Sequence, residues 1–224
     1  METRYKNSIG ALTEQEYRRL REKRVFVAGC GGLGGYLIEH LLRLGVKGIT
    51  VCDGDVFEPS NLNRQLLCTP EVLGRSKAET AARRAAQVNP EVQVRALPVF
   101  LTAENAQSLL AGHDLALDAL DNWDSRLISA DACAACGISM VCGAVQGWYA
   151  QITVLPPGDP LLERLYPQKA APSSSQGSLS CTCALCAALQ ITEAVKLLCG
   201  RPSPLTGKVL YADLLRQDYQ LLTL

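Results

Sequence analysis

The sequence predicts an α/β protein built on a Rossmann-like, mostly parallel sheet with helices on both faces. Short apolar runs alternate with helical stretches along most of the chain, the first run opens directly into glycines, and an aspartate closes the second run. The 224 residues suffice for one α/β domain with a substantial core, so residues 1–224 are expected to form a single domain.

Residues 11–23, ALTEQEYRRLREK, read as a polar helix, which makes residues 1–24 an N-terminal helical arm. Val25-Phe26-Val27-Ala28 is short and β-favouring enough for a buried strand. Tyr36 to Leu44 carries apolar residues at helical spacing until Gly45 ends it, and Gly48 to Asp53 gives a second strand. The order then repeats. Lys77 to Val88 is an Ala-rich helix closed by Asn89-Pro90, Val92 to Val99 a strand, and Ala103 to Leu110 a helix. Asp114 to Asp118 is a strand, Arg126 to Cys136 a helix, and Ser139 to Ala144 and Tyr149 to Leu155 two more strands. From Pro156 the pattern breaks into a proline-rich stretch with the run Ser173-Ser174-Ser175, so residues 156–181 are expected to be a flexible crossover loop. Cys183 to Leu198 returns to an apolar helix. Lys208 to Asp213 and Tyr219 to Leu224 then suit a terminal hairpin.

Lys plus Arg number 22 and Asp plus Glu 22, so no global field draws in nucleic acid or an anionic membrane, and neither is an expected partner. The N-terminal segment is charged and lacks the apolar core of a secretory signal, and no apolar run approaches ~20 residues. A cytoplasmic protein is expected. Of ten cysteines, Cys30, Cys52, Cys142 and Cys199 lie inside apolar strand or helix patterns, which suits reduced, buried thiols better than a disulfide scaffold.

The chemistry gathers in four segments. Gly29, Gly31 and Gly34, with Gly32 between, form a glycine-rich turn from strand to helix, where backbone can approach a phosphate and the helix N-terminus favours negative charge. Asp53, at the end of the second strand, stands where a carboxylate accepts ribose hydroxyls. Ser60, Asn61 and Arg64 follow, and Lys77 begins the next helix, so Arg64 and Lys77 can act as fixed cations on a triphosphate. Asp121 and Asn122 lie just past a strand's carboxyl end, where Asp121 is a candidate magnesium ligand. Asp118 and Asp124 are assigned instead as a strand-end residue and a helix N-cap.

RVFVAGCGGLGG, CDGDVFEPSNLNRQ, LGRSKAE and LDALDNWDSR resemble successive motifs of the ThiF/MoeB/HesA family, within the ubiquitin-activating-enzyme superfamily. The resemblance runs from about Arg4 to Leu155 and returns in LQITEAVKLLCG. It implies ATP and magnesium as cofactors and adenylation of the C-terminal Gly-Gly carboxylate of a ubiquitin-like sulfur-carrier protein. It further implies that Gly32, Asp53, Ser60, Asn61, Arg64, Lys77, Asp121 and Asn122 contact the nucleotide and its metal, that Arg126 braces the site, and that the chain forms a homodimer.

Three features depart from that family. Arg4-Tyr5-Lys6-Asn7 lacks the second arginine of an Arg-Tyr-x-Arg motif that reaches the partner subunit's nucleotide. Leu162 to Pro167 stands where relatives with structural zinc carry a Cys-x-x-Cys pair; Cys133/Cys136 and Cys183/Cys186 have that spacing but fall in predicted helices, and zinc is not expected. The crossover offers serines where some relatives keep a nucleophilic cysteine, leaving Cys181 as the possible nucleophile. Two alternatives share the resemblance: an enzyme like the tRNA threonylcarbamoyladenosine dehydratases, and a non-catalytic nucleotide-binding scaffold.

Overall fold

The computed structural model describes residues 3–8, 10–166 and 177–223. A 3-10 turn, Thr3–Ser8, precedes α1 (Glu14–Leu20), β1 (Arg24–Ala28), α2 (Gly34–Leu44), β2 (Gly48–Cys52), α3 (Lys77–Val88), β3 (Gln93–Leu97), α4 (Ala106–Leu110) and β4 (Leu115–Asp118). Then come α5 (Trp123–Cys136), β5 (Ser139–Gln146), β6 (Tyr149–Leu155), α6 (Leu161–Leu165), α7 (Ser180–Cys199), β7 (Lys208–Asp213) and β8 (Asp218–Thr223). The eight strands make one sheet in the order β3-β2-β1-β4-β5-β6-β7-β8. The pairings from β3 through β5 are parallel and those from β5 through β8 antiparallel.

Strand alternation divides the core between the sheet's two faces. On one face Val25, Val27, Ile49, Val51, Leu115 and Leu117 pack with Leu37, Leu41, Ala78, Ala81, Ile191 and Ala194 from α2, α3 and α7. On the other, Phe26, Ala28, Ala116 and Met140 pack with Ala106, Leu110, Ala132 and Leu161 from α4, α5 and α6. The helices therefore lie on both sides, as the pattern predicts.

Local chemistry sets the element ends. Thr13 and Glu16 form a reciprocal capping box, which starts α1 at Glu14 and makes it shorter than residues 11–23 suggested. The expected arm of residues 1–24 is thus a 3-10 turn and a two-turn helix, ending where Arg24 enters β1. Gly45 stops α2 in the left-handed region at φ 73°. Buried Asn89 closes α3, its Nδ2 donating to the Leu42 carbonyl at 2.8 Å and to Tyr5 Oη at 2.7 Å.

The crossover also needs correction. Residues 161–165 form α6, whose Leu161 and Leu162 are buried, and α7 begins at Ser180, within the stretch read as loop. Apolar burial of these leucines outweighs the surrounding prolines. Ser173-Ser174-Ser175 lies outside the described residues. The 20-residue α7 is long and apolar enough to cross a membrane by length and composition, its most apolar 18-residue stretch having mean hydropathy 1.5, where the sequence shows no apolar run of that length. Its Cys183, Cys186, Ile191 and Ala194 are core residues of the sheet, and it carries a buried Glu193.

Candidate active site

The parallel strand order reverses between β1 and β4, and connections leave those neighbours in opposite directions, opening a crevice at their carboxyl ends. The glycine loop fills it. Gly29 has φ 95°, and a Cβ there would stand 2.7 Å from the Ala119 carbonyl oxygen. A Cβ on Gly34 would stand 2.0 Å from the Gly29 carbonyl oxygen, so the first turn of α2 folds directly onto the end of β1. Only glycine permits both approaches.

Asp53, just past β2, is fastened to that loop. Its Oδ2 accepts the Cys30 backbone N–H at 2.7 Å, and its Oδ1 accepts the Asp55 N–H at 2.9 Å. Burial raises its carboxyl above the usual carboxylate range, while these donors and the Lys77 charge oppose the rise. Lys77, the first residue of α3, is buried and directs Nζ to Asp55 Oδ2 at 2.9 Å. The sequence places Lys77 as a fixed cation for a triphosphate but does not show its partner Asp55, although the Asp-Gly-Asp spacing puts a second carboxylate in reach.

Ser60 and Asn61 lie in a 3-10 turn, Pro59–Asn61, in which Asn61 Oδ1 accepts the Glu58 N–H at 3.0 Å. Arg64 Nη1 donates to the Ser60 carbonyl and to Asn63 Oδ1, each at 3.0 Å. Its Cγ and Nε lie 3.9 and 4.0 Å from where a Cβ on Gly32 would stand. Gly31 and Gly32 thus form the floor of a site bordered by Arg64, while Lys77 acts on neighbouring Cys30 and Asp53.

Asp121 and Asn122 are exposed beyond β4. Asn122 is the N-cap of α5, its Oδ1 accepting the Ser125 N–H at 2.9 Å. This corrects the assignment of Asp124, which instead occupies the first turn, where its charge complements the helix dipole. Asp118 is fully buried beside Arg126, with Nε 3.4 Å from Oδ2. Burial raises the Asp118 carboxyl, opposed chiefly by Arg126. Arg126 Nη2 also donates to the Leu120 carbonyl at 2.6 Å and the Gly143 carbonyl at 2.7 Å, which holds the turn presenting Asp121.

The cysteines separate. Cys133 belongs to the core on one face of the sheet and Cys183 and Cys186 to the core on the other, so the two Cys-x-x-Cys pairs do not converge on one centre. Among the described residues no cluster of three His, Cys, Asp or Glu could hold a metal. Cys181 is exposed in the first turn of α7. Beside Cys30 within the loop, Cys183 brings a second thiol up to it: its Sγ would lie 3.1 Å from a Cβ on Gly32. Its burial raises its pKa, and Arg64 opposes that shift.

The ThiF family model matches residues 5–224. The chain belongs to the ThiF family. It is 36% identical over 216 residues to the sulfur carrier protein adenylyltransferase of Thermus thermophilus, covering 92% of this chain and 80% of that one. It is 34% identical over 207 residues to the SAMP-activating enzyme E1 of Haloferax volcanii, covering 90% and 77%. Among solved structures, E. coli MccB with MccA-N7isoASN superposes with TM-score 0.83 at 18% identity, covering 100% of this chain and 72% of that one, which supports the fold. Family membership makes the chain an adenylyltransferase of the ubiquitin-activating type.

Proposed function

We propose that this ThiF-family chain adenylates the C-terminal Gly-Gly carboxylate of a ubiquitin-like sulfur-carrier protein with ATP and releases pyrophosphate. One observation carries the assignment of the site: the Gly31–Gly32 floor is bordered by Arg64 and joined through Cys30 to the Asp53 carboxylate. That arrangement suits a nucleotide with its ribose at Asp53 and its phosphates over the glycines.

The carrier's carboxylate oxygen attacks the α-phosphorus, the bond to the bridging oxygen breaks, and pyrophosphate takes the electron pair. Arg64 and Lys77 neutralise charge that grows on the phosphate oxygens. Lys77 exchanges Asp55 for phosphate when ATP enters. Ser60 and Asn61 shape the Arg64 turn, and Arg126 positions Asp121. The exposed carboxylate of Asp121, with Asn122 beside it, offers the hard oxygen donors magnesium prefers. Bound there, magnesium would offset phosphate charge and ease departure of pyrophosphate.

The chain acts as one adenylation domain spanning residues 1–224, as a cytoplasmic homodimer. Buried Tyr5 anchors the N-terminal turn against α2, where a Cβ on Gly45 would collide with its ring. Lys6, exposed on that turn, supplies the charge of the missing second arginine as a point cation. Adenylation itself needs no protein thiol, so Cys181→Ser keeps it.

ATP–pyrophosphate exchange with purified Gly-Gly carriers tests the reading. Carrier-dependent exchange in the wild type and in Cys181→Ser is expected. Exchange with no carrier would count against the proposal, and a carrier adduct lost in Cys181→Ser would add a covalent step.

A further inference from the structure

Beside the glycine loop lies a polar side chain whose own oxygen the fold does not engage. Gln65, next to Arg64, is 7% exposed, and its Oε1 is buried without a hydrogen-bond partner among the described residues. Its backbone is held independently: the N–H donates to the Asn61 carbonyl at 3.0 Å and the carbonyl accepts the Cys68 N–H at 2.9 Å. The same turn therefore fixes where Gln65 points.

It points at the loop. Where a Cβ on Gly31 would stand, the nearest atoms are Gln65 Nε2 at 3.6 Å, Cδ at 3.8 Å and Oε1 at 3.9 Å. Arg64 borders Gly32 in the same way, at 3.9 Å. Two consecutive side chains thus face two consecutive glycines, one a cation and the other a neutral amide. Burying an unpartnered carboxamide is unfavourable relative to an apolar side chain of the same length. Among the described residues, the two other buried, unpartnered side-chain oxygens, on Asp118 and Gln190, belong to side chains otherwise bound within the core: Asp118 pairs with Arg126, and Gln190 Nε2 donates to the Asp118 and Val141 carbonyls. Gln65 lies against the phosphate loop instead.

We propose that Gln65 is a further nucleotide-binding residue, whose carboxamide donates an N–H to a phosphate oxygen of ATP lying over Gly31 and Gly32. The assignment rests on the ATP-dependent reading above. Arg64 supplies charge and Gln65 direction, since a planar amide held by a buried turn fixes where an acceptor oxygen must lie. The carboxamide can turn end for end about its last bond without moving the backbone, which puts Nε2 where the unpartnered Oε1 stands, and a phosphate oxygen there would accept its N–H.

Gln65→Met keeps the length and removes the amide, and Gln65→Glu keeps the shape and adds a charge that repels phosphate. Three quantities are measured without carrier: the thermal midpoint of the free protein, the ATP dissociation constant by calorimetry with magnesium present, and adenosine affinity by competition. Gln65→Met is expected to weaken ATP by about tenfold, to leave adenosine within about twofold, and to melt at or above the wild-type temperature. Gln65→Glu is expected to weaken ATP further. Unchanged ATP affinity in Gln65→Met overturns the assignment, as does equal weakening of ATP and adenosine with a lowered midpoint, which marks a packing role. A wild type that binds ATP but exchanges with no carrier sinks the adenylation reading and leaves this assignment standing on the ATP-to-adenosine ratio. A wild type that binds no ATP overturns both.

Discussion

β1, β2 and β4 run parallel and are buried at nearly every position, whereas β8 pairs antiparallel at the opposite end of the sheet and is exposed along its whole length. The difference follows from how the strands are joined. Parallel neighbours need a crossover, so each returns through a helix, and the turns that lead into those helices gather at one edge. The glycine loop, Asp53, Arg64, Lys77 and Asp121 all come from those turns. β5 and β6, and β7 and β8, are joined by short turns, while β6 reaches β7 by way of α6 and α7, and β6, β7 and β8 contribute none of the site residues named above. The link between the halves is α7, which packs across β5 and β6 and against α2, and brings Cys183 to the loop. Position in this molecule is set by topology, and substitutions should divide along the same line.

The largest effect is expected at Gly34. An alanine there places its Cβ 2.0 Å from the backbone oxygen of Gly29, a contact only backbone movement can relieve. Gly34→Ala should cost about 5 kcal/mol or more and yield little soluble protein. Gly207→Ala, between α7 and β7 with φ 69° and nothing near its Cβ, should cost only about 1 kcal/mol of conformational strain. Chemical denaturation of both gives the ratio. Equal losses would mean the loop is no more constrained than a turn in the antiparallel half.

Next comes Arg126→Met, which leaves Asp118 fully buried without its cation, while the Leu120 and Gly143 carbonyls each lose a donor. Removing one partner of a buried pair costs about 3–5 kcal/mol. The mutant should also lose magnesium-dependent exchange, because the turn carrying Asp121 loosens. Asp121→Ala separates these two consequences. That carboxylate is exposed, so its loss should leave the unfolding free energy within about 0.5 kcal/mol of wild type while exchange falls about 100-fold or more. Wild-type exchange in Asp121→Ala would remove it from the site.

The sequence revealed the parallel half more fully than the connections that complete the site. β1, β2, β4 and β5 announce themselves because buried parallel strands are continuous apolar runs bounded by glycine or aspartate, β3 shows by its alternation, and α3 was legible from Lys77 to its close at Asn89. The glycine loop was legible because its spacing has a steric cause. What escaped were pairings across separate loops. Asp55 with Lys77, Gln65 against Gly31 and Cys183 against Gly32 depend on how three turns fold together, and no periodicity encodes that. α6 was hidden for a related reason: two buried leucines among prolines carry too little pattern to show a helix.

The smallest effect concerns the joint between the halves, where Glu16 of α1, ahead of β1, meets Arg201, just past α7 on the way to β7. Arg201 Nη2 donates to Glu16 Oε2 at 2.8 Å, and the Thr13 N–H donates to the same carboxylate at 2.9 Å. These donors, Arg201 first, lower the Glu16 pKa from 4.5 to about 2. The folded state therefore favours the ionised carboxylate. Its contribution to stability is complete above pH 4.5, where both states are ionised, and is lost as pH falls toward about 2 because the unfolded chain takes up the proton first. Glu16→Gln removes the titrating group but keeps a capping side chain. The stability difference between wild type and Glu16→Gln, followed by urea denaturation, should be largest near neutral pH and shrink steadily below pH 4.5. High salt should reduce it as well, because the pair is partly exposed on the Arg201 side. A difference that stays constant from pH 7 to pH 3 would show that Glu16 acts through its cap on α1 alone, and that the charge pair does not join the N-terminal arm to the end of α7.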